Sequence, residues 1–133
     1  MKKLLITLGC LTLAACSTES AEQSQLTLDP AQSADATVVT KSVNYQCQSH
    51  KQLSVTYGFD KQNQPTYAQA LLNGKMRFMP LNLKHSDQVS TVFGDENNFR
   101  LSTAQMTAEN YQLPMLITDP AQEIIFKNCN PVK

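Results

Sequence analysis

SVNYQCQSHKQLSVTYGF, residues 42–59, decides the fold. Within it Val43, Tyr45 and Cys47 alternate with polar residues, and Leu53, Val55, Tyr57 and Phe59 alternate with Ser54, Thr56 and Gly58. A period of two puts successive side chains on opposite faces of an extended chain, so both runs predict half-buried β-strands. A helix would space its apolar residues three and four apart, and these fall two apart.

The same texture continues downstream. DKQNQP at 60–65 predicts a turn and Tyr67–Leu72 a third strand. Asn73-Gly74 is the strongest hairpin signal in the chain, because both residues tolerate positive φ. Met76, Phe78 and Pro80 begin a fourth strand that runs to about Leu83. KHSD at 84–87 is polar loop, Val89–Phe93 a fifth strand, GDENN at 94–98 a turn and Phe99–Ala104 a sixth strand. MTAEN at 106–110 leads into Tyr111–Thr118, where Pro114 marks a break or an edge. Asp119-Pro120 turns into Ile124–Phe126, the last strand. About eight short strands, with no helical stripe a dozen residues long, predict an all-β antiparallel barrel or sandwich.

Upstream of the first strand the texture differs. Residues 17–38 are mostly Ser, Thr, Glu, Gln, Asp and Ala, with Leu26 and Leu28 as the exceptions. Such a segment buries too little surface to offset its ordering entropy, which predicts a flexible tether. Before it, Met1-Lys2-Lys3 and an apolar run from Leu4 to Ala15 read as a secretory signal peptide. A membrane span would need roughly 20 apolar residues. The junction Leu13-Ala14-Ala15-Cys16 resembles a bacterial lipobox. That resemblance implies cleavage before Cys16 and acyl chains on the new N-terminal cysteine, with Ser17 favouring the outer membrane. Two or more acyl chains anchor stably, each buried CH2 contributing about 0.8 kcal/mol. The expected organisation is a signal peptide at 1–15, a lipidated Cys16 with its tether at 16–38, and a folded domain at 39–133.

The whole chain balances eleven Lys and Arg against eleven Asp and Glu. Lys2 and Lys3 leave with the signal, so the mature chain is slightly acidic. No basic stripe points to nucleic acid. Cys10 departs too, and Cys16 carries the lipid. In an exported protein the remaining Cys47 and Cys129 are expected to pair, tying the first strand to the last. A two-cysteine metal site lacks partners, since His50 and His85 are the only histidines and no CxxC spacing occurs. Neither histidine sits in a catalytic motif. Asp95-Glu96 are adjacent in a turn, and Gly58, Gly74 and Gly94 fall at strand ends or turns and form no phosphate-binding loop. The expectation is a binding protein without enzymatic activity, cofactor or metal.

Three blocks carry a wider resemblance: SVNYQCQSHKQLSVTYGFDKQNQPTYAQALLNGK, MPLNLKHSDQV and IIFKNC. Together they resemble the adhesin complex protein family over about residues 40–130. The family shares the fold of membrane-bound inhibitors of c-type lysozyme. The resemblance implies a small antiparallel barrel of about eight strands closed by one disulfide, Cys47–Cys129. It also implies a bacterial envelope lipoprotein, periplasmic or surface-exposed, that binds host c-type lysozyme and occludes its cleft. The alternative it implies is a surface adhesin or envelope-interaction module of the same fold without inhibitor activity.

Lysozyme is cationic and cleaves sugar polymers with two carboxylates. An inhibitor must fill its cleft and satisfy those carboxylates or leave them unpaired. Membrane-bound inhibitors typically do so with an SGxxY stretch and a later lysine. Here SDQVSTVFGDENNFRLST, residues 86–103, occupies that region without the SGxxY pattern. The contact candidates are Ser86, Ser90, Asp95, Glu96, Asn97, Asn98 and Arg100, with Arg100 as the cationic donor in place of the lysine. Phe93 and Phe99 are expected in the core.

Overall fold

The computed structural model describes residues 30–132. The signal peptide, Cys16 and the tether up to residue 29 lie outside the described residues.

The opening stretch forms two strands, β1 (Val39–Gln46) and β2 (Gln52–Phe59), paired antiparallel along all eight residues. Their connection is a 3-10 turn at Gln48–His50, where Ser49 and His50 take positive φ and the Cys47 N–H donates to the Lys51 carbonyl at 2.7 Å. β3 (Pro65–Leu72) and β4 (Lys75–Pro80) follow, joined by the Asn73-Gly74 turn with φ of 52° and 79°. β5 (Ser90–Phe93), β6 (Arg100–Ala104), β7 (Met115–Thr118) and β8 (Ile124–Pro131) complete the chain. The spatial order is β4-β3-β2-β1-β8-β7-β6-β5, an eight-stranded antiparallel sheet curled into a nearly closed barrel.

The two halves, β1–β4 and β5–β8, meet at two seams. At the first, β1 pairs β8 only at Tyr45–Pro131 and Gln46–Asn130, extended by the Val132 N–H to the Asn44 carbonyl at 2.8 Å. The Cys47–Cys129 disulfide sits at the end of this short register. At the second, β4 meets β5 just beyond its own end. Gly94 N–H donates to the Pro80 carbonyl and Asn82 N–H to the Val92 carbonyl, each at 2.7 Å, around a bridge between Leu81 and Phe93. Asn82 is buried and holds this closure with its side chain. Its Nδ2 donates to the Gly94 carbonyl at 2.7 Å, and its Oδ1 accepts from the Lys84 and His85 N–H groups.

The inward rows are the ones the alternation marks. Val43, Tyr45, Val55, Tyr57, Phe59, Leu72, Phe93, Leu101 and Ile117 fill the interior, with Ala68 and Ala70 making room for the rings. The Tyr45 and Tyr57 hydroxyls meet at 2.7 Å inside, which satisfies two polar groups that burial would otherwise strand. Phe99 joins this core as expected.

Some elements differ from the sequence expectation. The described part of the expected tether is not featureless. α1 (Pro30–Ala36) packs against β3 and β4, with Ser33 buried and the Thr37 hydroxyl 2.6 Å from that of Thr66. β7 begins at Met115, after Pro114, because proline cannot donate to the ladder. Gly58 lies inside β2, at an irregularity in its register with β3, beneath the Tyr67 ring.

Candidate interaction surface

One end of the barrel gathers two turns. The β5–β6 turn, residues 94–99, is shaped by Gly94 and Asp95. Gly94 has φ +85°, and a Cβ there would stand 2.0 Å from the Phe99 carbonyl oxygen, so only glycine fits. The Asp95 carboxylate accepts from the Asn97 N–H at 2.9 Å and the Asn98 side-chain amide at 3.1 Å, an Asx turn closed on itself. The β7–β8 turn repeats this chemistry. Asp119 accepts from the Ala121 and Glu123 N–H groups at 2.9 Å each, and Gln122 takes φ +69° at its tip.

Gln122 links the two turns. Its Oε1 accepts from Arg100 Nη2 and its Nε2 donates to the Glu96 carbonyl, both at 3.1 Å. Arg100 opens β6 beside Thr118 of β7, so the sheet register itself places the guanidinium between the turns. His85 reaches in from the loop after Leu81, its Nε2 3.8 Å from a Glu96 oxygen. Four carboxylates, those of Asp95, Glu96, Asp119 and Glu123, thus stand on the turns that flank Arg100.

Of the predicted contact residues, the structure brings Asp95, Glu96, Asn97, Asn98 and Arg100 together at this end. Glu96, Asn97 and Asn98 are exposed and Arg100 is half-buried. Ser86 and Ser90 are employed elsewhere. The Ser86 hydroxyl accepts from the Val92 N–H at 2.9 Å and donates to the Val92 carbonyl at 3.2 Å, clamping the loop to β5. Ser90 sits at the opposite end of β5, where its hydroxyl and N–H donate to Asp87. N–H groups of Val89 and Ser90, then the Ser90 hydroxyl, hold the Asp87 carboxyl below the usual carboxylate range. Sequence reasoning missed Gln122, Asn82 and His85. The Asp119-Pro120 turn was legible, but the bridge from Gln122 to a turn 26 positions earlier depends on the tertiary register.

A barrel of eight antiparallel strands stapled β1 to β8, presenting paired polar turns at one end, defines a class of small disulfide-closed all-β domains. The family model described as ACP-like domain (Nm-ACP) matches residues 41–131. Among solved structures, the adhesin complex protein from Neisseria meningitidis is similar, with 45% sequence identity and a TM-score of 0.67. That match covers 70% of this chain and 100% of the other. No curated protein matches. The chain belongs to the adhesin complex protein family.

Proposed function

We propose that this chain is an adhesin-related protein of the bacterial envelope that binds and inhibits host c-type lysozyme by occluding its active-site cleft. The observation that carries the reading is Arg100, held by Gln122 between two turns that bear four carboxylates. A guanidinium offers paired donors to a carboxylate, which suits a cleft built around two of them. The surrounding acidic turns would steer a cationic partner towards that donor and orient it. Exposed Asn97 and Asn98 extend from the same turn and supply amide donors and acceptors for sugar-binding groups in the cleft. Acylation at Cys16 would keep the domain at a membrane face, where it meets lysozyme before the cell wall does.

The printed name of the similar Neisseria meningitidis protein, adhesin complex protein, favours a second reading. There the same turns contact another host surface and lysozyme is untouched. The discriminating experiment is an assay of cell-wall lysis by hen or human lysozyme with increasing amounts of the purified protein. Lysis that stops near equimolar protein supports inhibition. Full lysis in excess protein rejects it, and attachment to host cells would then favour the second reading.

A further inference from the structure

The second seam of the barrel is open along most of β4. All six β4 residues pair with β3, from Lys75–Leu72 to Pro80–Tyr67. Only beyond Met79 does this edge meet β5, through the Pro80 carbonyl and the Leu81–Phe93 bridge. Main-chain groups of an antiparallel strand alternate sides. Leu81 N–H donates to Thr66 on the β3 side, and the Pro80 carbonyl faces Gly94 on the other, so odd residues serve β3 and even residues face away. Met76 and Phe78 therefore turn their N–H and C=O groups to the open edge, where no described residue bonds them.

A groove of about 250 Å³ lies along this edge, lined by Met76, Arg77, Phe78, Met79, Asn98 and Phe99. Its chemistry is sided. On the outer face stand Met76, 59% exposed, and Phe78, stacked on Tyr67 with centroids 4.5 Å apart. On the inner face stand Lys75, exposed, and Arg77, whose guanidinium lies 4.8 Å over the Phe99 ring while its Nε donates to the Leu72 carbonyl at 3.3 Å. We propose that the free edge of β4 docks an extended segment of a partner protein as an added strand, one whose side chains alternate between apolar and acidic.

Main-chain groups of Met76 and Phe78 supply the strand pairing. Residues bonded to them lay apolar side chains beside Met76 and Phe78, and the intervening residues set carboxylates against Lys75 and Arg77. A second copy is disfavoured by charge in the registers centred on Arg77 and Met76, and the register centred on Phe78 would need the Pro80 carbonyl that Gly94 already takes. Pairing β4 with itself about Arg77 sets Arg77 opposite Arg77, and pairing about Met76 sets Arg77 opposite Lys75. Like charges directly opposite destabilise a ladder.

The test is amide hydrogen exchange and chemical-shift mapping by NMR on the full chain, with short capped peptides as probes. Alternating valine and glutamate should slow exchange at Met76 and Phe78 saturably, and alternating valine and lysine should bind at least about tenfold more weakly. Met76→Pro removes one outward donor and leaves the β3 ladder intact, so it should weaken the glutamate peptide by a similar factor. Arg77→Glu should reverse the peptide preference. Retained protection on β3 verifies that each variant is folded. Equal binding of the two peptides, or none, overturns the proposal and leaves Lys75 and Arg77 as guards against edge pairing. Slow exchange at Met76 and Phe78 without peptide also overturns it. If that protection is independent of protein concentration, the chain covers its own edge; if it depends on concentration, a second copy does.

Discussion

Arg100 and Gln122 concentrate the functional argument in one hydrogen bond of 3.1 Å. If Arg100 supplies the cleft-directed cation, Arg100→Ala weakens lysozyme inhibition more than about tenfold, measured as the shift of the inhibition curve. Gln122→Ala, which frees the guanidinium without removing it, weakens inhibition less. Equal loss from both would mean that the turn geometry, and not the charge, carries binding. Arg100 was legible as a candidate because a cation close after an acidic turn is visible in the chain. Gln122 was not, since nothing local distinguishes it from other exposed glutamines. The partners of Ser86 and Ser90 were not legible for a related reason: a hydroxyl in a polar loop reads as free, and only the fold shows it bonded to Val92 or Asp87.

At the scale of elements, the alternation in residues 42–59 was enough to fix two strands and their inward rows. The alternation alone does not order the strands; the expected Cys47–Cys129 pair is what joined the first to the last. β1 lies next to β8 through a register of two residue pairs, Tyr45–Pro131 and Gln46–Asn130, beside a disulfide that spans 82 positions of sequence. That seam rests on those two residue pairs, and the Cys47–Cys129 bridge sits on it. On the chain-entropy model a loop of this size stabilises the fold by about 4 kcal/mol. Replacing both cysteines with serine should therefore lower the denaturation free energy by roughly that amount, with amide protection lost first on β8 and the end of β1. Loss spread evenly over all strands would contradict the seam assignment. Asn82 does comparable work at the opposite seam. Asn82→Ala strands the Gly94 carbonyl and two loop N–H groups, and should cost about 1–3 kcal/mol in chemical denaturation.

Across the whole molecule, the interior sets how the fold responds to alkali. Burial pushes the Tyr45 hydroxyl up to about 12, a rise that its bond to Tyr57 partly offsets. Burial pushes Tyr57 up as well, with the proximity of Tyr45 adding to it. A raised phenol stays neutral in the fold while the unfolded chain ionises near pH 10. The stability this provides is complete below about pH 10 and is lost as pH rises through about 12 and beyond. Spectrophotometric titration should show these two phenols ionising together with unfolding. Ionisation of both in a folded chain would contradict the buried pair. Tyr57→Phe leaves the Tyr45 hydroxyl without its partner and should destabilise the barrel by about 1–3 kcal/mol at neutral pH.

In the proposed function the paired turns form the face that meets lysozyme. NMR titration of the labelled protein with c-type lysozyme tests it most directly. Saturable perturbation confined to residues 94–100 and 119–123 is expected, with His85 responding beside Glu96. Absence of binding, or perturbation on strands away from these turns, would contradict it.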